Sequence, residues 1–204
     1  MRIAAVCVTL VCLGSACSLF SAPVQSFVVE DFGTRTPARI AILPVANGTL
    51  YPEGPELLRH RVEIMLKNSG YDTLSGDRID EMLKEKYGIT YGAQLANIEP
   101  SELAAAFGSE LRADALLFTE LFEWDRTRIV DRDQVSVGAG FQLVESASLT
   151  VIWRARHEVV RHLPGRSLFD TVATDSGDYE LLIHELLRDI SQTLPRRGYL
   201  DDPS

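Results

Sequence analysis

Apolar and polar residues recur along this chain in two periods, and the change from one to the other outlines a fold. Residues 39–45 (RIAILPV) are a short, almost unbroken apolar run closed by Asn47 and Gly48, the pattern of a strand buried on both faces of a helix-covered sheet. Over 55–69 the side chains of Leu58, Val62, Met65 and Leu66 recur at helical spacing, and Gly70 supplies a residue that tolerates a left-handed stop. Residues 71–74 suit a short strand, and Asp77 can cap a second helix over 78–87 that ends at Gly88. Pro100 stands where the first turn of a helix accepts it, ahead of Leu103, Ala106 and Phe107. Residues 113–124 then suit a long strand, followed by a polar, charged turn region at 125–133.

Beyond that region the period drops to two. Val135, Val137, Ala139, Phe141 and Leu143 alternate with Ser136, Gly138, Gly140 and Gln142. Leu149, Val151, Trp153 and Ala155 form one face of a second such segment, with Thr150, Arg154 and Arg156 on the other, so an antiparallel hairpin is expected. Leu182, Ile183, Leu186, Leu187 and Ile190 then mark an amphipathic helix over 178–194, stopped at Pro195. The order predicts an α/β fold: a mixed sheet of about five strands with helices packed on it, ending in an antiparallel hairpin and a C-terminal helix.

The amino terminus follows neither period. Arg2 precedes an apolar run over 3–13 and the small residues Gly14, Ser15 and Ala16, the layout of a secretory signal. The run is shorter than the roughly 20 apolar residues of a spanning helix. LGSAC at 13–17 resembles the bacterial lipobox, in which small residues precede a cysteine that receives a diacylglyceryl group. It departs from that pattern at Gly14, where Leu is usual; Leu13 lies one place further back. Cys17 is therefore the expected lipid-attachment residue, whereas Cys7 and Cys12 follow no small residues and are apolar fillers of the signal. Ser18 after the cysteine implies, in such lipoproteins, sorting to the outer membrane. The expected organisation is a signal peptide at 1–16, a lipid-attached tether at 17–38, one α/β domain at 39–198 and a frayed tail at 199–204.

Composition narrows the functional classes. With 20 Lys and Arg against 29 Asp and Glu, the charge of −9 disfavours nucleic acid, which requires a surplus of cations. All three cysteines lie within the first 17 residues, so no disulfide is expected in the domain. His60, His157, His162 and His184 show no pair at metal-binding helical spacing, and neither a nucleophile elbow nor a phosphate-cradling loop is present. Gly138-Ala139-Gly140 lies within a strand pattern, where it marks a bulge or a close backbone approach rather than a dinucleotide site. Glu120, Glu123, Asp125, Asp131 and Asp133 are the acidic residues available for pairing, but a solvated loop needs such charges anyway, so no catalytic residue, metal or cofactor is assigned. Trp124 and Trp153 stand at strand positions and are read as core or rim packing.

AILPVAN at 41–47, NSGY at 68–71, RADALL at 112–117, Glu123-Trp124 and a hairpin ending at Ile152-Trp153 together give a chain that resembles a family of bacterial lipoproteins of unknown function, commonly found beside a lipoprotein of the CsgG type. The resemblance covers most of residues 37–162. It implies a domain like the amino-terminal domain of TolB and like LpoB, used for protein-protein contacts in the envelope, with no active site to carry over. The expectation is a membrane-anchored periplasmic lipoprotein, held to the outer membrane through Cys17 and acting as a non-catalytic binding or assembly accessory, with a CsgG-like lipoprotein as candidate partner. Two alternatives stand beside it. One is an oligomeric, membrane-inserting secretion subunit, because 134–143 and 149–156 alternate as barrel strands do; the other is an envelope hydrolase using an acidic pair.

Overall fold

The strand over Arg39–Ile42 lies inside the molecule, with Ile40 and Ile42 entering one apolar cluster while Ala41 and the following Leu43 enter a second on the opposite side. Ala115 and Leu117 against Leu116 repeat the division on the neighbouring strand. This is the physical reason for unbroken apolar runs: successive side chains serve two cores.

The computed structural model of the protein describes residues 22–129, 132–164 and 175–197. In chain order the elements are β1 Gln25–Val28, a 3₁₀ turn Phe32–Thr34, β2 Arg39–Ile42, β3 Ala46–Asn47, α1 Gly54–Asn68, β4 Asp72–Thr73, α2 Gly76–Tyr87, a second 3₁₀ turn Gly92–Asn97, α3 Pro100–Glu110, β5 Ala115–Ile129, β6 Arg132–Glu145, β7 Val151–Pro164 and α4 Asp175–Ser191. The sheet runs β1-β7-β6-β5-β2-β4, with β3 pairing β5 at Glu120 and Leu121, just beyond its pairing with β2. β2 is parallel to both β4 and β5, and the β5-β6-β7-β1 side is antiparallel, so the sheet is mixed. Helices α1 and α4 pack on one face, where Leu58, Val62, Leu182, Leu186 and Ile190 meet Val135, Val137, Ala139 and Trp153. Helices α2 and α3 cover part of the other, where Ile79, Leu83, Leu103 and Phe107 meet Ala41, Leu43, Leu116 and Val144.

The α/β class, the mixed sheet, the hairpin and the closing helix agree with the sequence pattern. The strand count is seven rather than about five, because β1 and the two-residue β3 were not visible as periodic segments. Part of the stretch expected as tether belongs to the sheet: β1 pairs with β7, Phe32 is buried, and Arg35 donates to the Glu145 carboxylate. The polar region at 125–133 is mostly strand, since β5 continues to Ile129 and β6 begins at Arg132. Its charges are accommodated in pairs, with Arg126 donating to Asp133 at 3.1 Å and to Asp178 at 3.3 Å. Gly70 has φ +88° and its backbone lies so close to the Arg197 carbonyl that a Cβ would stand 2.6 Å from it, so both conformation and space require glycine. The signal at 1–16, Cys17 and the tail at 199–204 lie outside the described residues.

Candidate functional site

Helices α2 and α3 stop short of the antiparallel side of the sheet. On that face Phe27 of β1, Arg154, Arg156 and Glu158 of β7 and Glu120 of β5 are exposed, although they lie in the middle of strands. Helix α4 lies on the opposite face, where Ala155, His157 and Val159 are buried. The alternation along β7 thus divides a packed side from an open, charged side.

A bulge shapes the open side. Leu121 pairs with Ala139 and Glu123 with Gly138, which leaves Phe122 as the extra residue of β5. Before it, Phe118 and Glu120 point to the open face; after it the phase flips, so that Trp124 enters the α4 core and Glu123 faces outward to accept from Ser136 Oγ at 2.9 Å. The Phe122 ring lies over Gly138, where a Cβ would stand 2.4 Å from a ring carbon. Arg156 in turn lies over the ring, its guanidinium carbon 3.5 Å from the centroid, and donates to Glu120 at 3.4 Å. Gly140 leaves room beneath the Arg156 guanidinium, which would be 3.5 Å from a Cβ there. Of the two glycines of the strand pattern, Gly138 therefore marks a close approach, by a neighbouring aromatic side chain, whereas Gly140 meets the guanidinium only at ordinary contact distance.

Beside this stack runs a groove of about 450 Å³, bounded by Ile98 and Pro100 at the start of α3 and floored by Phe118, Gln142, Arg154 and Arg156. Exposed guanidinium groups and an aromatic ring beneath one of them are side-chain types enriched where proteins meet proteins. The Arg156–Glu120 pair is solvent-exposed on both sides and adds little stability.

The structure distributes the other candidate residues widely. Glu120 pairs with Arg156, Glu123 with Ser136, Asp125 with Thr127 and Asp133 with Arg126, while Asp131 lies outside the described residues. Asp133 and Asp178 share the Arg126 guanidinium between them, as Asp31 and Glu145 share Arg35. His60, His162 and His184 are exposed on separate elements, whereas His157 is buried with Nε2 3.4 Å from the Asp189 carboxylate. Among the described residues no three His, Cys, Asp or Glu side chains gather as a metal site. Trp124 stacks on Tyr179 with centroids 4.4 Å apart, and the buried Trp153 donates from Nε1 to Thr193, so both indoles are core groups. Phe122 and Arg156 were not singled out in the sequence; the signal available was the pair of glycines across from them.

Comparison with known proteins places this geometry. A family model described as "Putative lipoprotein GNA1162-like" matches residues 29–198. Among solved structures, the crystal structure of lipoprotein GNA1162 from Neisseria meningitidis is similar at TM-score 0.58 and 20% identity, over 76% of this chain and 99% of that one. A PelC dodecamer from Paraburkholderia phytofirmans is similar at TM-score 0.53 and 17% identity, over 87% of this chain and 100% of that one. No curated protein matches by sequence.

Proposed function

We propose that this chain, which belongs to the GNA1162-like lipoprotein family, is a lipid-anchored, non-catalytic docking protein of the cell envelope that holds a protein partner on the open side of its sheet. The observation that carries this reading is the Arg156-over-Phe122 stack beside an aliphatic groove, built on strands whose other face is fixed against α4. The outer membrane is the membrane we assign, from Ser18, and a CsgG-type lipoprotein is the first partner to seek. Recovery of partners from detergent-solubilised membranes tests the proposal. Wild type should retain an envelope protein that the Phe122→Ala/Arg156→Glu variant loses while still melting cooperatively. Equal recovery by both, or turnover of a substrate by the purified protein, would overturn it.

Self-assembly is a second reading, supported by the fold shared with a protein solved as a dodecamer. Here the partner would be another copy, and light scattering of the lipidated protein in detergent would show a ring that the same double variant breaks into monomers. The membrane-inserting alternative is less well supported. Val135, Val137, Ala155 and Val159 are buried with Leu182, Leu186 and Ile190 of α4, and a barrel would require them to leave that core.

A further inference from the structure

The two edges of the sheet are built differently. An open edge is a template for a further strand, because its outward N–H and C=O groups have no partner, and proteins ordinarily blunt it with charge, proline, a bulge or extreme shortness. At one edge β4 is two residues long and carries Asp72. At the other, β1 lies within VQSFVV at 24–29, a segment without charge in a chain of which 24% is charged. It has no proline, and its register against β7 runs from Gln25 to Val28 without a shift.

One hydrogen bond gives the direction of the free groups. The Val29 N–H donates to the Ile152 carbonyl at 3.1 Å, so by alternation Gln25 and Phe27 also turn their backbone groups toward β7. Ser26 and Val28 turn theirs outward, where among the described residues nothing pairs with them. Between these two, the Phe27 side chain is 50% exposed on the open face, directly opposite Arg154 of β7.

From this pattern we infer that β1 pairs with β1 of a second copy of the chain, antiparallel about a two-fold axis beside Phe27. Ser26 then lies opposite Val28 of the second copy and exchanges both N–H···O bonds with it, and the symmetric pair repeats the exchange, so the outward groups of both strands are satisfied. Phe27 meets Phe27 of the second copy at a non-hydrogen-bonded position, where Cα atoms stand about 4.5 Å apart and side chains approach most closely. The two rings cover one another in a row flanked by the two Arg154 side chains. A second copy suits this edge better than a foreign strand. Two chains of charge −9 repel each other over most of their surfaces and meet most readily where neither carries charge, while an uncharged segment gives a foreign strand little to select it by. The contact is self-complementary, so it closes at two copies. It uses the strand edge rather than the groove and does not depend on which protein docks on the open face.

Cysteine substitution tests the pairing in membranes of cells that make the full-length protein. Under mild oxidation Phe27→Cys should give a covalent dimer, since the expected Cα separation falls in the disulfide range of about 4.4–6.8 Å. Gln25→Cys, exposed on the same strand, would stand about 13 Å along the strand from its image and should not cross-link. Wild type, whose cysteines are at 7, 12 and 17, sets the background. Ser26→Pro removes an N–H that β7 does not use, so the domain should still melt cooperatively, while the Phe27→Cys dimer should fall by about tenfold or more, as two lost hydrogen bonds imply. The Phe122→Ala/Arg156→Glu change should leave the dimer intact. Equal cross-linking at 25 and 27, no dimer at 27, or a dimer that a folded Ser26→Pro protein retains would overturn the pairing. So would a mixed disulfide with another protein, identified by mass spectrometry in place of the dimer, or a dimer abolished by the Phe122→Ala/Arg156→Glu change, which would assign the contact to the open face.

Discussion

Replacing Gly138 by Ala should damage the open face where replacing Gly140, two residues along the same strand face, should not. A Cβ at 138 would lie 2.4 and 2.7 Å from two carbons of the Phe122 ring and 2.9 Å from Glu123 Cβ. Carbon atoms in comfortable contact stand about 3.5–4.0 Å apart, so the ring or the strand must move by about 1 Å or more. If the ring swings out, the Arg156 stack is lost, at about 0.5–1 kcal/mol for an exposed cation–π contact, together with part of the ring's burial. If the strands part instead, overpacking of this kind costs about 1–3 kcal/mol. Either route gives about 1–2 kcal/mol, which at about 2–4 °C per kcal/mol for a domain of this size lowers the melting temperature by roughly 2–8 °C. At Gly140 the nearest atom would be Arg156 Nη1 at 3.5 Å, an ordinary contact. Gly140→Ala should therefore be neutral or raise the melting temperature by up to about 4 °C through the less flexible unfolded chain. Thermal melts followed by circular dichroism measure both. The cause is isolated by Phe122→Ala, which removes the obstacle: the Gly138→Ala/Phe122→Ala protein should be more stable than the sum of its parts by about 1 kcal/mol. Strict additivity, or equal melts for the two alanine variants, would refute the assignment of Gly138 as the seat of the ring.

Three further outcomes follow from other parts of the molecule. Leu186, fully buried on the packed face of α4, should cost at least about 3 kcal/mol on change to Asp, whereas Arg188→Ala on the exposed side of the same helix should shift urea midpoints by the equivalent of about 0.5 kcal/mol or less. Tyr71 is buried with its hydroxyl donating to the Pro195 carbonyl, and burial pushes its pKa up from 10.0 to about 12 against the opposing pull of Arg197. The unfolded chain therefore loses this proton first, so stability is fully present below pH 10.0, falls as pH rises through 12, and loses that extra fall in Tyr71→Phe as measured by urea unfolding across this window. Cys17→Ser should abolish incorporation of a palmitate analogue, while Cys7→Ser and Cys12→Ser leave it intact; label on the Cys17→Ser protein would remove the lipobox assignment.

What the sequence made legible was whatever one element decides by itself. The run at 39–45 betrayed its two-sided burial because both cores touch the same short strand, and Leu182, Ile183, Leu186, Leu187 and Ile190 marked α4 because a helix that buries one face must repeat it. β1 was not legible, since three of its four residues are exposed and its pairing depends on β7, more than 120 residues away. Arg126 and Asp133 belonged to a turn on local evidence, because the third member of their cluster, Asp178, comes from another element altogether.

The open face sits between these cases. Its polar alternation at Ser136, Gly138, Gly140 and Gln142 was visible as one side of a half-buried strand, but that α2 and α3 end before covering it is a property of helix placement and is written in no single segment. The bulge at Phe122 explains why the apparently continuous strand at 113–124 concealed the site: the phase change puts Leu121 and Trp124, an odd and an even position, on the same buried side. A strand without a bulge would place Phe122 and Trp124 together, and either the core would lose its indole or the open face its ring. The extra residue lets β5 supply Trp124 to Tyr179 in the core and Phe122 to Arg156 on the surface, and Gly138 is the concession the neighbouring strand makes to it. Stability and the proposed docking surface are therefore coupled at one position of β6, which is why a substitution at Gly138 that enlarges the side chain by one methyl group should be felt in both.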